Sequence, residues 1–188
     1  MNSLNKGADD PRGWDRIIWP ATALAIAACI AIASIQAHAQ SAATTIAGRA
    51  TVEDGDSIRI GEHRVILWGI DAPEGDTACG RARPARQSQA ALRRMLGRRD
   101  VQCEVRSVDR NGREVSLCRV EGRDVGAIMV EQGWARDWPR HSCSAYANAE
   151  AGARQARRGI WAMECPASLW GERNYAADRC RQPDAPAQ

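Results

Sequence analysis

Three short β-like runs follow one another almost without a gap between Thr45 and Ile70, and no other feature limits the possible folds as tightly. The first runs from Thr45 to Val52 and the second from Ser57 to Ile60, with Asp54-Gly55 between them. Asp-Gly flanked by such runs is a strong hairpin signal. The third covers His63 to Ile70 and is stopped at Asp71-Ala72-Pro73, because proline has no N–H to give to a sheet. Strands this close in sequence can pair only as an antiparallel meander.

The period then changes. From Pro84 to Leu96 the residues Ala85, Ser88, Leu92 and Met95 form a helical stripe, arginines fill the other faces and Gly97 stops the helix. Val101–Val105 and Val115–Val120 read as a further hairpin around Asn111-Gly112. Asp124 to Gln132 reads as a short helix capped by Asp124 and closed by Gly133. Another helix is expected from Ser144 to Arg158, with Tyr146, Ala149, Ala153 and Ala156 inward and Gly159 at its end. The tail from Ala162 carries Pro166, Pro183 and Pro186 and is expected to be a short appendage held by Cys165 and Cys180. Five strands with a helix after the third, followed by further helices, predict an α+β fold dominated by β: a five-stranded OB-type barrel with about three packed helices.

The 188 residues suit one domain plus extras. Residues 1–39 read as a secretory signal peptide: basic residues at Lys6, Arg12 and Arg16, an apolar stretch from Ile17 to Ile35, and an A-x-A site at Ala37-His38-Ala39. An uncleaved membrane anchor is the alternative, and Ile26-Ala27-Ala28-Cys29 loosely resembles a lipoprotein box followed by the wrong, apolar, continuation. The expected divisions are therefore the leader 1–39, a domain 40–161 and a tail 162–188, in a secreted or periplasmic protein that touches a membrane only if the leader stays on. Loss of the leader removes three basic and three acidic residues and leaves the formal charge at +3, with arginine as the sole basic type apart from histidine. Arginine's planar fork suits phosphate, but a chain this rich in Arg and Ala equally reflects codon usage. Six of the seven cysteines lie beyond the leader, an even number suited to disulfides in an oxidising compartment. Cys103 and Cys118 stand equally far from the centre of the Arg110-Asn111 turn, so they face each other across a hairpin and are expected to bridge. Cys79, Cys143, Cys165 and Cys180 leave three pairings open.

Two acidic clusters end the β-like runs: Asp54-Gly55-Asp56-Ser57 and Gly69-Ile70-Asp71-Ala72-Pro73-Glu74. Carboxylates delivered to neighbouring strand ends repel one another unless a hard cation sits between them, and oxygen donors are what Ca2+ or Mg2+ prefers. Asp109-Arg110-Asn111-Gly112-Arg113 adds an arginine at a hairpin turn. Cation, carboxylate and guanidinium converging on one phosphate would serve phosphodiester chemistry. Taken singly, each motif also reads as an ordinary turn or a solvated charge.

In order and spacing, DGDS, GIDAPE, DRNGR, GWA and a closing Arg-Gly-Ile-Trp resemble the staphylococcal nuclease (thermonuclease) family over about residues 44–161. The resemblance implies an OB-fold barrel that binds one Ca2+ and cuts DNA and RNA, leaving a 3′-phosphate. It implies Asp56 and Asp71 as metal carboxylates, the Ala72 carbonyl as a neutral ligand, Glu74 as the base that positions and deprotonates water, and Arg113 on the phosphate. A second family arginine is expected five residues before Asp71, where this chain has Ile66, and Ala72 stands where members often carry Thr. One lost charge donor costs about 10²–10³ in rate, and an arginine in phosphoryl transfer is worth about 10³–10⁵, so reduced turnover is expected. Arg64 shares a strand face with Ile66, roughly 6–7 Å along the strand, and is a candidate substitute on the phosphate.

The expected function is a secreted or periplasmic Ca2+-dependent nuclease, acting as a monomer on DNA or RNA. The alternatives are a nucleic-acid-binding OB module that has lost hydrolysis and an envelope scaffold docked through its cysteine-bearing tail. Among the tryptophans, Trp68 and Trp138 are candidates for substrate contact, and His63 and His141 read as surface residues.

Overall fold

The computed structural model describes residues 44–177 and 180. The leader at 1–39, Pro183 and Pro186 lie outside the described residues. The meander forms as expected: β1 (Thr45–Val52), β2 (Ser57–Ile60) and β3 (His63–Leu67). A two-residue β4 (Ile70–Asp71) follows, then helix α1 (Pro84–Leu96), β5 (Asp100–Val108) and β6 (Glu114–Val120). The remaining elements are β7 (Arg123–Asp124), α2 (Val125–Glu131), β8 (Arg136–Asp137), α3 (Pro139–Ser142) and α4 (Ala147–Gln155), with 3-10 turns at Gly159–Ala162 and Ala167–Trp170.

Five strands run in the order β3-β2-β1-β5-β6, and β3 pairs in parallel with β6 to close the sheet into a barrel. Closure abolishes the exposed edges that an open five-stranded sheet would leave. The inner face follows strand alternation: Ile58 and Ile60, Val65 and Leu67, Val101 and Cys103 are buried while their neighbours face out. Ala91, Leu92 and Leu96 of α1 and Val125, Met129 and Val130 of α2 complete the same apolar cluster. Asp124 caps α2 as expected, its carboxylate accepting from the Ala127 amide at 3.1 Å. Among the described residues no helix is long and apolar enough to cross a membrane.

Two elements differ from expectation. The third strand stops at Leu67, because Gly69 turns with φ of 73° where a Cβ would meet the Ser142 Cβ at 2.8 Å. The chain resumes as β4, which leaves the barrel to pair with β8, Asp71 opposite Arg136. The long helix after Ser144 is also shorter than its pattern suggests. Cys143 and Ser144 adopt φ of 53° and 63°, which breaks the helical path between α3 and α4, and Ala156 lies exposed beyond the end of α4.

Cys103 and Cys118 are register partners in β5 and β6, with Cα atoms 4.0 Å apart, and form a disulfide. Of the three pairings open to the other four cysteines, the fold adopts Cys79–Cys165 and Cys143–Cys180. The tail is thus stapled twice, to the loop before α1 and to the end of α3. The Cys103–Cys118 loop has a sequence separation of 15 residues, for which loop-closure entropy gives about 3 kcal/mol. Replacing both cysteines with serine is expected to lower urea-unfolding stability by about that amount, and an unchanged midpoint would show that the bridge adds nothing.

Candidate active site

The acidic cluster is assembled by tight turns rather than by long elements. In the β1–β2 turn the amides of Glu53 and Asp54 donate to the Ser57 carbonyl at 3.0 and 3.1 Å, and Asp54 Oδ1 accepts from the Gly55 amide at 2.8 Å. Gly55 is required by space: a Cβ would lie 2.3 Å from Ser88 Oγ on α1 and 2.7 Å from the Ala72 Cβ. That close approach drives Asp56 inward to 9% exposure, where Oδ2 accepts from the Ala72 amide at 3.1 Å and the Asp56 carbonyl accepts from the Leu67 amide at 2.8 Å. Asp71, held by the β4–β8 pair, is fully buried, whereas Glu74, just past Pro73, is exposed. The structure therefore brings Asp56, Asp71 and Glu74 together, with Asp54 beside them.

Burial pushes the Asp56 carboxyl up to about 7, and the charges of Asp71, Asp54 and Glu74 add to the rise against the opposing Ala72 amide. Asp71 is also raised, first by burial, while the Tyr175 hydroxyl and the Arg173 guanidinium hold it back. These two partners come from the tail. Arg173 Nη1 donates to Asp71 Oδ1, Nη2 lies 2.6 Å from Glu74 Oε1, and the Tyr175 hydroxyl donates to Asp71 Oδ2. Burial and the bond to Asp71 push the Tyr175 phenol well above its usual range, which keeps it a donor.

Four carboxylates face one guanidinium, so the cluster carries surplus negative charge that a hard cation would relieve. The donors are all oxygen, which fits Ca2+ chemistry. Asp56 uses only Oδ2 in a hydrogen bond among the described residues, which leaves Oδ1 for a ligand. The set is a partial one: no three Asp, Glu, His or Cys side chains among the described residues form a ready metal cage.

Arg113 stands on a prepared base. Asp109 Oδ1 accepts from the amides of Asn111 and Arg113 at 2.9 Å each, and Oδ2 accepts from Arg113 Nε at 2.8 Å. Those amides, Arg113's first, hold the Asp109 carboxyl below its ordinary range, so it stays ionised and fixes the arginine. Arg113 and Arg173 line one cleft of about 660 Å³, together with Arg110, Arg140 and Trp138. Trp138 reaches this cleft, and His141, read from sequence as a surface residue, packs edge-on against it at 4.5 Å. Trp68 instead packs edge-on against Tyr146 at 5.8 Å.

Arg64 is not brought to the cluster. It pairs with Glu53 at 3.2 Å, an acid shared with Arg59, on the exposed side of β3. Ile66 is half-buried opposite Ser57 and Val115. The guanidinium that does reach Asp71 and Glu74 is Arg173, which sequence reasoning passed over along with Tyr175. The available signal was Trp170-Gly171-Glu172-Arg173-Asn174-Tyr175, an aromatic and arginine-bearing stretch between two cysteines that both needed partners.

A family model described as staphylococcal nuclease homologue matches residues 64–163. The succinoglycan biosynthesis protein ExoI of Rhizobium meliloti is 38% identical over 136 residues, covering 69% of this chain and 71% of its own length. The probable endonuclease LCL3 of Schizophyllum commune is 31% identical, covering 60% of this chain and 45% of its own. The probable staphylococcal-like nuclease CAN2 of Oryza sativa subsp. japonica is 29% identical, over 61% of this chain and 30% of its own. This chain therefore spans less than half the length of the fungal and plant relatives it matches.

The raised Asp56 carboxyl has a consequence for stability. An exposed aspartate titrates near ~3.9, and the folded value of about 7 lies above it. Protonation therefore favours the folded chain: the contribution is full below about pH 4 and is lost as pH rises through about 7. In chelator, the denaturation midpoint is expected to fall over this window, and Asp56→Asn is expected to flatten the fall. An identical slope in the variant would contradict this assignment.

Proposed function

The chain belongs to the family of staphylococcal nuclease homologues, and from that premise we propose that it is an exported, Ca2+-dependent phosphodiesterase that cuts DNA or RNA. The observation that carries the reading is the junction at Arg173, whose fork joins the Asp71–Glu74 carboxylates to the cleft that Arg113 lines. Nuclease function is supported by the family and by the relatives named as endonuclease and nucleases. Export is the reading that fits a leader at 1–39 and six cysteines all paired as disulfides.

In this reading Asp56 and Asp71, with the Ala72 carbonyl, would hold Ca2+, Asp71 sharing oxygens that now accept from Arg173 and Tyr175, and the ion would supply positive charge to offset that of the phosphate. Glu74, exposed at the rim, takes a proton from water as its oxygen bonds to phosphorus. The bond from phosphorus to the 5′-oxygen then breaks, the leaving oxygen gains a proton from solvent, and the 3′-phosphate stays on the other fragment. Arg113, oriented by Asp109, balances charge as it grows on the phosphoryl oxygens. The buried carboxylates cannot replace Glu74 as base, because each is enclosed and Asp71 is bonded on both oxygens.

A second reading, a nucleic-acid-binding module without hydrolysis, draws on the same bonds to Asp71 and on Ile66. Hydrolysis of labelled single-stranded DNA by the oxidised protein in about 10 mM Ca2+, above the range of weak sites, separates the two. Cleavage is expected to stop in chelator, to fall by about 10²–10⁴ in Glu74→Gln and by about 10²–10³ in Arg113→Ala. Binding without cleavage, restored to cleavage by Ile66→Arg, would establish the second reading. Cleavage indifferent to chelator and to Glu74→Gln would overturn the proposed mechanism.

A further inference from the structure

Resting on the nuclease reading, we propose that Arg173 is a phosphate-binding residue of the active site, delivered by the C-terminal tail, and that substrate phosphate draws it off Glu74. The segment that carries it is held from several sides. Trp138 Nε1 donates to the Asn174 carbonyl at 2.8 Å, and the Arg136 guanidinium lies 3.7 Å over the Tyr175 ring. The Tyr175 hydroxyl is bonded to Asp71, and Cys180 is bridged to Cys143 beyond α3. Arg173 itself is 22% exposed in its side chain, with Trp138 on one side at 5.6 Å. A tail that only covered the barrel would need no such aim.

The two arms of the guanidinium have unequal partners. Nη1 is bonded to Asp71, which is fully buried. Nη2 pairs with Glu74, which is exposed and can be solvated when released. A phosphodiester entering the cleft therefore displaces the Glu74 arm first, since phosphate oxygens match the same planar fork and a solvated carboxylate loses little. Arg113 lines the same cleft as Arg173, so a phosphate seated there has two guanidinium groups to draw on. The exchange has a structural result: the Glu74 carboxylate, held in an ion pair with Arg173 in the empty site, is released from it when phosphate arrives.

The test is binding of a fluorescein-labelled oligothymidylate of about six nucleotides in chelator, where no turnover occurs, followed by anisotropy over a range of salt. Each lost phosphate contact on a single strand is expected to make the slope of log K against log salt shallower by about 0.7. Arg173→Ala and Arg113→Ala are each expected to show that change and several-fold weaker binding. Arg173→Lys is expected to keep the slope, which separates loss of charge from loss of fold, and Arg49→Ala, on the β1–β5 face, is expected to match the natural protein. Cys143→Ser with Cys180→Ser is expected to weaken binding as Arg173→Ala does. If the natural protein binds and cuts but Arg173→Ala binds as tightly or more tightly with the same slope, this inference fails alone and the tail is a plug. If the natural protein neither binds nor cuts, the nuclease reading fails with it.

Discussion

A carboxylate buried at the mouth of a β-barrel is the constraint around which this protein is arranged. Asp71 is wholly enclosed and bonded on both oxygens, and its burial costs several kcal/mol unless it is paired. The pairing comes from far along the chain, from Arg173 and Tyr175. The two tail disulfides, the Gly69 turn and the β4–β8 pair all serve to make that meeting possible. A lone buried ion pair adds little stability by itself, so its presence here is better explained by the site it builds.

The rest of the cluster depends on closeness of backbone. Gly55 lets the β1–β2 turn rest on α1 and Ala72, which forces Asp56 into the same enclosed space as Asp71. Four acids then share one guanidinium, and the Asp56 carboxyl is raised first by its burial and further by the neighbouring charges. The barrel supplies rigidity, the loops supply the acids, and the tail supplies the charge that offsets them.

Much of the scaffold was legible in the sequence because it rests on local rules. Alternation fixed β1 to β3, the stripe from Ala85 to Met95 fixed α1, and equal spacing from a turn paired Cys103 with Cys118. Asp56, Asp71 and Glu74 were legible as a group because they sit at strand ends. What escaped notice depends on distant contacts. The break at Gly69 is set by Ser142 and Tyr146, the late start of α4 by left-handed Cys143 and Ser144, and neither leaves a local pattern. Arg173 follows the same logic. Arg64 looked eligible because it shares a strand face with Ile66, but Glu53 claims it, and the residue in the cluster arrives from a tail with no strand or helix periodicity of its own.

The most direct test is a Ca2+ titration of the oxidised protein followed by amide correlation spectra, up to about 10 mM, beyond the roughly 10⁻⁴–10⁻³ M range of weak extracellular sites. If the acid cluster holds the cation, the amides of Asp56, Asp71 and Ala72 and the Nε of Arg173 shift together and saturate, while the far face of the barrel stays still. Signals of those four groups that do not move while the remainder of the spectrum responds, or no response at all, would contradict the assignment of this cluster as a metal-binding active site.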